Sequence, residues 1–201
     1  MARPKSDATD AGRRRILEAA EAVLRRHGPA KTTVVEVART LGQSHASVYR
    51  YFASKAEMID ALVGRWLEGA CVPLDSLVHG DGPAGDRLRG WLVGLHREKL
   101  RMVTADPEHF ATYYALVAGA NEVVARHLRG LVDQVEAIIA AGVASGEFRV
   151  VDARRAAVAA LNATIRFHHP ALLADGSPTP TEADVDDVIA LVLAGLRAGA
   201  L

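Results

Sequence analysis

The chain has 201 residues, half of them apolar, with 24 Lys/Arg, 24 Asp/Glu and no net charge. No apolar run approaches the roughly 18 residues of a membrane span. The opening "MARPKSDATDAGRRR" lacks the apolar stretch of a signal peptide, and the lone Cys71 excludes an internal disulfide framework. The expectation is a cytoplasmic protein without a membrane partner.

The neutral total hides an uneven distribution. Residues 1–60 hold 11 Lys/Arg against 7 Asp/Glu, and the remaining 141 hold 13 against 17. A basic head on an acidic body suggests a segment that binds a polyanion.

Strand signals are sparse and 3.6-residue periodicity recurs, which predicts an all-α protein of about nine helices. The first runs from about 10 to 27, with Ile16, Leu17, Ala20, Val23 and Leu24 on its apolar face and Gly28 as its stop. "TTVVEVARTLG" follows, where Thr33 and Glu36 have capping-box spacing. "SHASVYRY" has Ser44 as N-cap, and "SKAEMIDALVGRWL" opens on a second box, Ser54 and Glu57. Five more helices are expected over 84–104, 107–118, 122–145, 153–174 and 182–198. Asp106, Asn121, Asp152 and Thr181 are their candidate N-caps.

Two short helices separated by "LGQ" make a helix-turn-helix. Val48 and Phe52 lie four apart and can pack inward on Val37, Ala38 and Leu41. His45, Ala46, Tyr49 and Arg50 then point outward. That face offers an arginine fork, two polar rings and a small residue permitting close approach, which suits a major groove.

The stretch "ILEAAEAVLRRHGPAKTTVVEVARTLGQSHASVYRYFASKAEMIDALV" resembles the DNA-binding domain of the TetR family of transcriptional regulators. The features that carry the resemblance are the helix ending in Gly28, Thr32-Thr33, "EVA", "LGQS", "VYRYF" and "SKAEMI". It covers about residues 13–63. The resemblance implies a three-helix DNA-binding head over residues 1–55 with a basic N-terminal arm. A larger helical effector-binding and dimerisation body takes residues 56–201. It implies base contacts by His45, Ala46, Tyr49 and Arg50, and phosphate contacts by Thr33, Ser47, Tyr51 and Lys55. Tyr51 stands where many members have histidine, and packing of Tyr49 and Tyr51 on the first helix is the alternative. Arg3 and Lys5 are expected in the arm, and Arg13, Arg14 and Arg15 near phosphates. The implied partners are a palindromic double-stranded operator, a second copy of the chain and a small effector. Repression is the implied mode.

In the body, Val185, Ile189, Val192 and Leu196 form an apolar stripe that, with the alanine-rich "ARRAAVAALNATIRF", suits a four-helix dimer interface. Packing inside one chain is the alternative. Asn162, Arg166 and His169 share a stripe before Pro170, which should kink or end the helix. With Trp66, His96, Phe110, Tyr113 and Tyr114 they are the candidate effector pocket, with Arg166 as the anchor for an anionic group. The alternatives are that each is a core or surface residue, and that Arg166 bridges to Asp133 or Glu136.

No cofactor or metal is expected. His168 and His169, adjacent on a helix, diverge by about 100°, and no HExxH or CxxC spacing accompanies them. No Gly-flanked serine, phosphate loop or carboxylate pair points to catalysis, so no catalytic residue is assigned. A His-dependent helical hydrolase and an architectural DNA-binding protein without ligand are the alternatives.

Overall fold

The computed structural model describes residues 5–69, 74–117, 119–175 and 177–199. Arg3, Cys71 and the side chains of Lys5 and Asn121 lie outside the described residues. Among those described there are twelve helices and no strand. The all-α expectation holds, while the count of about nine is corrected to twelve.

The chain forms two compact units: residues 1–66 with 108–124, and residues 67–107 with 125–201. The first unit starts with α1 (Lys5–Lys31), which breaks at Gly28 with φ 74°. That left-handed backbone is open to glycine at no steric cost. α2 (Val34–Thr40) starts where the Thr33 hydroxyl accepts from Glu36 N at 3.2 Å. Only half of the expected box forms there, because the Glu36 carboxylate turns to Arg39. Gly42, with φ 63°, makes the turn into α3 (His45–Tyr49), capped by Ser44. α4 (Lys55–Gly69) follows, with Ser54 accepting from Glu57 N and the Glu57 carboxylate returning to Ala53 N at 2.6 Å. Ile16, Ala20, Leu24, Val37, Val48, Phe52, Met58 and Leu62 form the buried core of this unit. Tyr113, from α7 (Pro107–Val117), joins them.

The second unit holds α5 (Asp75–His79) and α6 (Ala84–Thr104), most of α8 (Asn121–Ala144), then α9 (Ala153–Ala163), α10 (Ile165–His168), α11 (Pro170–Leu173) and α12 (Glu182–Ala198). Its core is built on Leu88, Trp91, Leu95, Val135, Ile138 and Ile139, closed by Phe148. Both oxygens of Glu147 accept from the first amides of α6, Ala84 N at 2.7 Å and Gly85 N at 2.9 Å. A carboxylate there also meets the positive end of the helix dipole. A Cβ on Gly142 would stand 2.3 Å from the Phe148 ring, so glycine lets that ring close the core.

Three helices account for the difference in count. α5 was not foreseen, and the helix expected over 153–174 is three pieces. It breaks at Thr164, whose hydroxyl donates to the oxygens of Ala160 and Leu161. Pro170 then starts α11 at a position where its missing N–H costs nothing.

Candidate nucleic-acid interface

α3 is five residues long, too short to be stable alone, so its orientation comes from packing. Val48 and Phe52 are wholly buried in the core of the first unit. That register leaves His45, Ala46, Tyr49 and Arg50 exposed, with the His45 and Tyr49 rings edge-on at 6.4 Å. Tyr49 is 48% exposed.

The four residues expected at phosphates are more varied. Lys55 is exposed in the first turn of α4. Thr33 accepts from Glu36 N, and this leaves its own hydroxyl proton to donate. The Ser47 hydroxyl lies 3.0 Å from that of Ser44. Tyr51 is half-buried against α1, where a Cβ on Gly12 would come within 2.4 Å of its ring. Arg15, Gln43 and Arg50, with Tyr51, line a shallow recess between the start of α1 and the helix-turn-helix. Arg13 turns inward, over the Phe52 ring.

The residues expected in an effector pocket fall into two groups. In the first unit, Trp66 stacks on Tyr113 at 5.0 Å and Phe110 on Tyr114 at 5.6 Å. Burial raises the Tyr113 phenol well above the ordinary tyrosine range. His109 lies edge-on to Tyr113, and its Nε2 accepts from Arg25 at 3.3 Å. In the second unit His96 is buried with Nδ1 2.7 Å from Phe167 O, whereas Asn162 and His169 are exposed. The expected stripe of Asn162, Arg166 and His169 is corrected, because the break at Thr164 puts them on separate segments. The Arg166 guanidinium donates to the oxygens of Leu172 and Pro178 and holds α10, α11 and the following loop together. Asp133 and Glu136 are paired instead with Arg154, at 2.8 and 2.7 Å.

The expected dimer stripe is also corrected. Val185, Ile189 and Leu196 are between 1 and 3% exposed in a single chain, and Val192 packs against the same core. Val185, Ile189 and Leu196 are committed to the interior of their own protomer, and Val192 is partly buried. The outward side of α12 carries Ala190, Leu191 and Ala194, with Leu191 74% exposed.

Lys99 was not foreseen. It is 3% exposed, and its Nζ lies 3.3 Å from His127 Nε2. The readable signal was its place on the buried stripe Leu88, Leu92, Leu95 of α6, at helical spacing. Among the described residues, no group of three His, Cys, Asp or Glu is arranged to hold a metal, and no helix is long and apolar enough to cross a membrane.

A helix-turn-helix with an exposed polar recognition face, joined to a larger helical body, defines a DNA-binding regulator. The comparisons name its family. Residues 16–62 match the family described as bacterial regulatory proteins, tetR family, and residues 84–189 match the tetracyclin repressor-like C-terminal domain. The second match alone spans more than half of the chain, and the protein belongs to the TetR family of transcriptional regulators.

Solved structures share the fold. A TetR/AcrR-family regulator from Thermobifida fusca is 24% identical, with a TM-score of 0.62 over 92% of this chain and 98% of that one. A putative regulator from Pseudomonas aeruginosa is 16% identical, with a TM-score of 0.70 over 94% and 91%. SmeT bound to triclosan is 20% identical, with a TM-score of 0.65 over 92% and 91%. SmeT is the repressor of the Stenotrophomonas maltophilia multidrug efflux pump SmeDEF. No curated protein matches this chain in sequence.

Proposed function

We propose that the protein is a repressor that holds a palindromic operator as a homodimer and releases it when a small effector binds the body. Residues 1–55 serve DNA, and residues 56–201 serve the effector and the dimer. The observation that carries the reading is the exposed face of α3, held in register by buried Val48 and Phe52. Arg50 forks onto a guanine edge, His45 and Tyr49 meet neighbouring edges, and Ala46 lets the helix approach closely. Thr33, Ser47, Tyr51 and Lys55 hold phosphates and fix the register without reading sequence. Lys55 acts beside the amides that open α4, where an anion is favoured.

The dimer forms through the outward sides of α12 and α9–α10. Leu191 and the small Ala190 and Ala194 lie on the first, and Val158 and Ile165, each 42% exposed, on the second. Alanines let helices pack closely, and the exposed apolar residues supply area to bury. Effector binding is supported by the likeness to SmeT, which was solved with triclosan. Since the two affinities are linked, effector weakens operator binding by the factor by which operator weakens effector binding.

Selection of bound DNA from a random pool, using the full chain, tests this. The expected product is a two-fold-symmetric site with half-sites about one helical turn, or a multiple, apart. Recovery of no preferred sequence, or of a single half-site bound by a monomer, overturns it.

A further inference from the structure

We propose that Arg15, Gln43 and the Tyr51 hydroxyl form one seat for a single phosphodiester group of the operator backbone, built across α1 and the helix-turn-helix. The inference rests on reading the head as a DNA-binding unit. It adds Arg15 and Gln43 to the residues that hold DNA and names Gly12 as the residue that keeps the seat open.

Arg13, Arg39 and Arg65 of the first unit each meet a carboxylate within the protein. Arg15 and Arg50 do not, and neither has a hydrogen bond or ion pair among the described residues. The side-chain amide of Gln43 and the hydroxyl of Tyr51 also have no hydrogen-bond partner among the described residues. These four side chains nevertheless line one recess of about 60 Å³. Ile16 and Leu41 supply its apolar wall, and no carboxylate lines it. The carboxylate of Glu57, which pairs with neighbouring Arg13, is also held by Ala53 N at 2.6 Å.

The walls of the recess are fixed from both sides. The main-chain oxygen of Tyr51 accepts from Arg13. Its ring lies on Gly12, where a Cβ would stand 2.4 to 2.6 Å from the ring edge and the hydroxyl. Glycine at position 12 therefore lets the phenol lie against α1 with its hydroxyl available. Gln43 is held by the Gly42 turn, where its N–H donates to Ala38 O at 2.9 Å. The Arg50 guanidinium stands 6.0 Å from the centre of the Tyr51 ring and adds a second positive charge to the field.

A guanidinium, an amide NH2 and a phenol can all donate here, so the seat calls for an acceptor with several oxygens and a negative charge. A phosphodiester carries one charge on two non-bridging oxygens, and hydrogen bonds to it are charge-assisted. Arg50 belongs both to this recess and to the exposed face of α3. A duplex that meets that face with its major groove runs a backbone strand along its flank. Contacts there position the protein and read no sequence. An uncharged base edge is a poorer match for a seat with two guanidiniums and no carboxylate.

The full-length protein is titrated with its selected operator, in which each backbone phosphate in turn is replaced by an uncharged methylphosphonate. At one phosphate per half-site, the replacement should weaken wild type by about tenfold through the loss of charge-assisted hydrogen bonds and should cost Arg15→Met and Gln43→Leu much less. Tyr51→Phe, which removes only the hydroxyl, and Gly12→Ala, which drives the ring from its place, should lose sensitivity at that same phosphate. Sensitivity at every other phosphate should stay as in wild type, an outcome that a general loss of stability cannot produce. Circular dichroism checks that each variant is folded. Sensitivity unchanged in the folded Arg15→Met and Gln43→Leu proteins, or reduced equally at all phosphates, overturns the proposal. So does displacement of the operator by millimolar inorganic phosphate, at fixed ionic strength, from wild type but not from Arg15→Met, since the seat would then hold a free anion. Operator binding without the local coupling overturns this inference alone. Absence of any operator overturns the functional reading beneath it, and the seat with it.

Discussion

The guanidinium of Arg13 lies 4.2 Å above the ring of Phe52, and its Nη1 donates to the main-chain oxygen of Tyr51. A third contact reaches Glu57 at 3.5 Å. Arg13 therefore ties α1 to the joint between α3 and α4, on the side of the recognition helix away from its exposed face. The family resemblance implied a phosphate contact for Arg13, whereas the geometry gives it three contacts within the protein.

Arg13→Ala should therefore lower the stability of the head by about 1–2 kcal/mol, through the lost cation–π contact and charged hydrogen bond. The salt dependence of operator binding should be unchanged. A phosphate contact would instead reduce that slope by about one. Denaturant melts and binding titrations at several salt concentrations separate the two, and a reduced slope with unchanged stability would return Arg13 to the DNA.

Arg50 and Lys55 should behave differently from Arg13 and from each other. Arg50→Ala should cost about 1–3 kcal/mol on the selected operator and relax preference at one position per half-site. Lys55→Ala should weaken all sequences alike and flatten the salt slope. Titrations on matched and mutated operators provide the check. Equal losses on every sequence from both variants would remove the division between reading and holding.

The parts legible in the sequence were those where local pattern and packing agree. Val48 and Phe52 are four apart on a short helix after a glycine turn, and the structure buries both. The break in the helix expected over 153–174 was misplaced. Pro170 is the break that the sequence predicts, yet the chain leaves the helix earlier, where the Thr164 hydroxyl competes for two carbonyls. That competition depends on neighbours that periodicity does not encode. Arg166 looked like a ligand anchor because an arginine on an apolar background does, but the backbone folded back to supply oxygens for it. Lys99 is the opposite case: it is one lysine in a helix with many charges, and only its helical spacing from Leu88, Leu92 and Leu95 puts it on the buried side.

An apolar stripe also cannot say whose surface it covers, and α12 shows the consequence. Ile189→Asp puts a charge where Ile189 is 1% exposed, which should cost several kcal/mol and unfold the protomer. Leu191 is two residues away and 74% exposed, so Leu191→Asp should leave the protomer folded. It should still break a dimer that buries this side of α12, and operator binding should fall with it. Sedimentation distinguishes the cases. A folded Leu191→Asp protein that stays dimeric would move the interface elsewhere.

The buried histidines give the protein a specific sensitivity to acid. His127 and His168 have folded pKa values of about 4, depressed chiefly by burial. In the unfolded chain each returns to roughly 6.5. Between those values the unfolded state binds more protons than the folded one, so stability rises with pH across the window. The contribution is complete above about pH 7, falls as pH drops through 6.5, and levels off below about 4. Each histidine can account for up to about 3 kcal/mol over the whole range. Carboxylates dominate acid unfolding at lower pH, so the informative interval is roughly pH 7 to 5.5. Melts of wild type there should show a falling midpoint, and the double variant His127→Gln, His168→Gln a shallower fall, since glutamine keeps hydrogen-bonding capacity and does not titrate. Lys99→Met should act in the same direction, because Lys99 lowers both histidines and its removal lets their folded values rise towards the unfolded ones. An identical dependence on pH in wild type and the double variant would mean that neither histidine stays neutral in the folded protein.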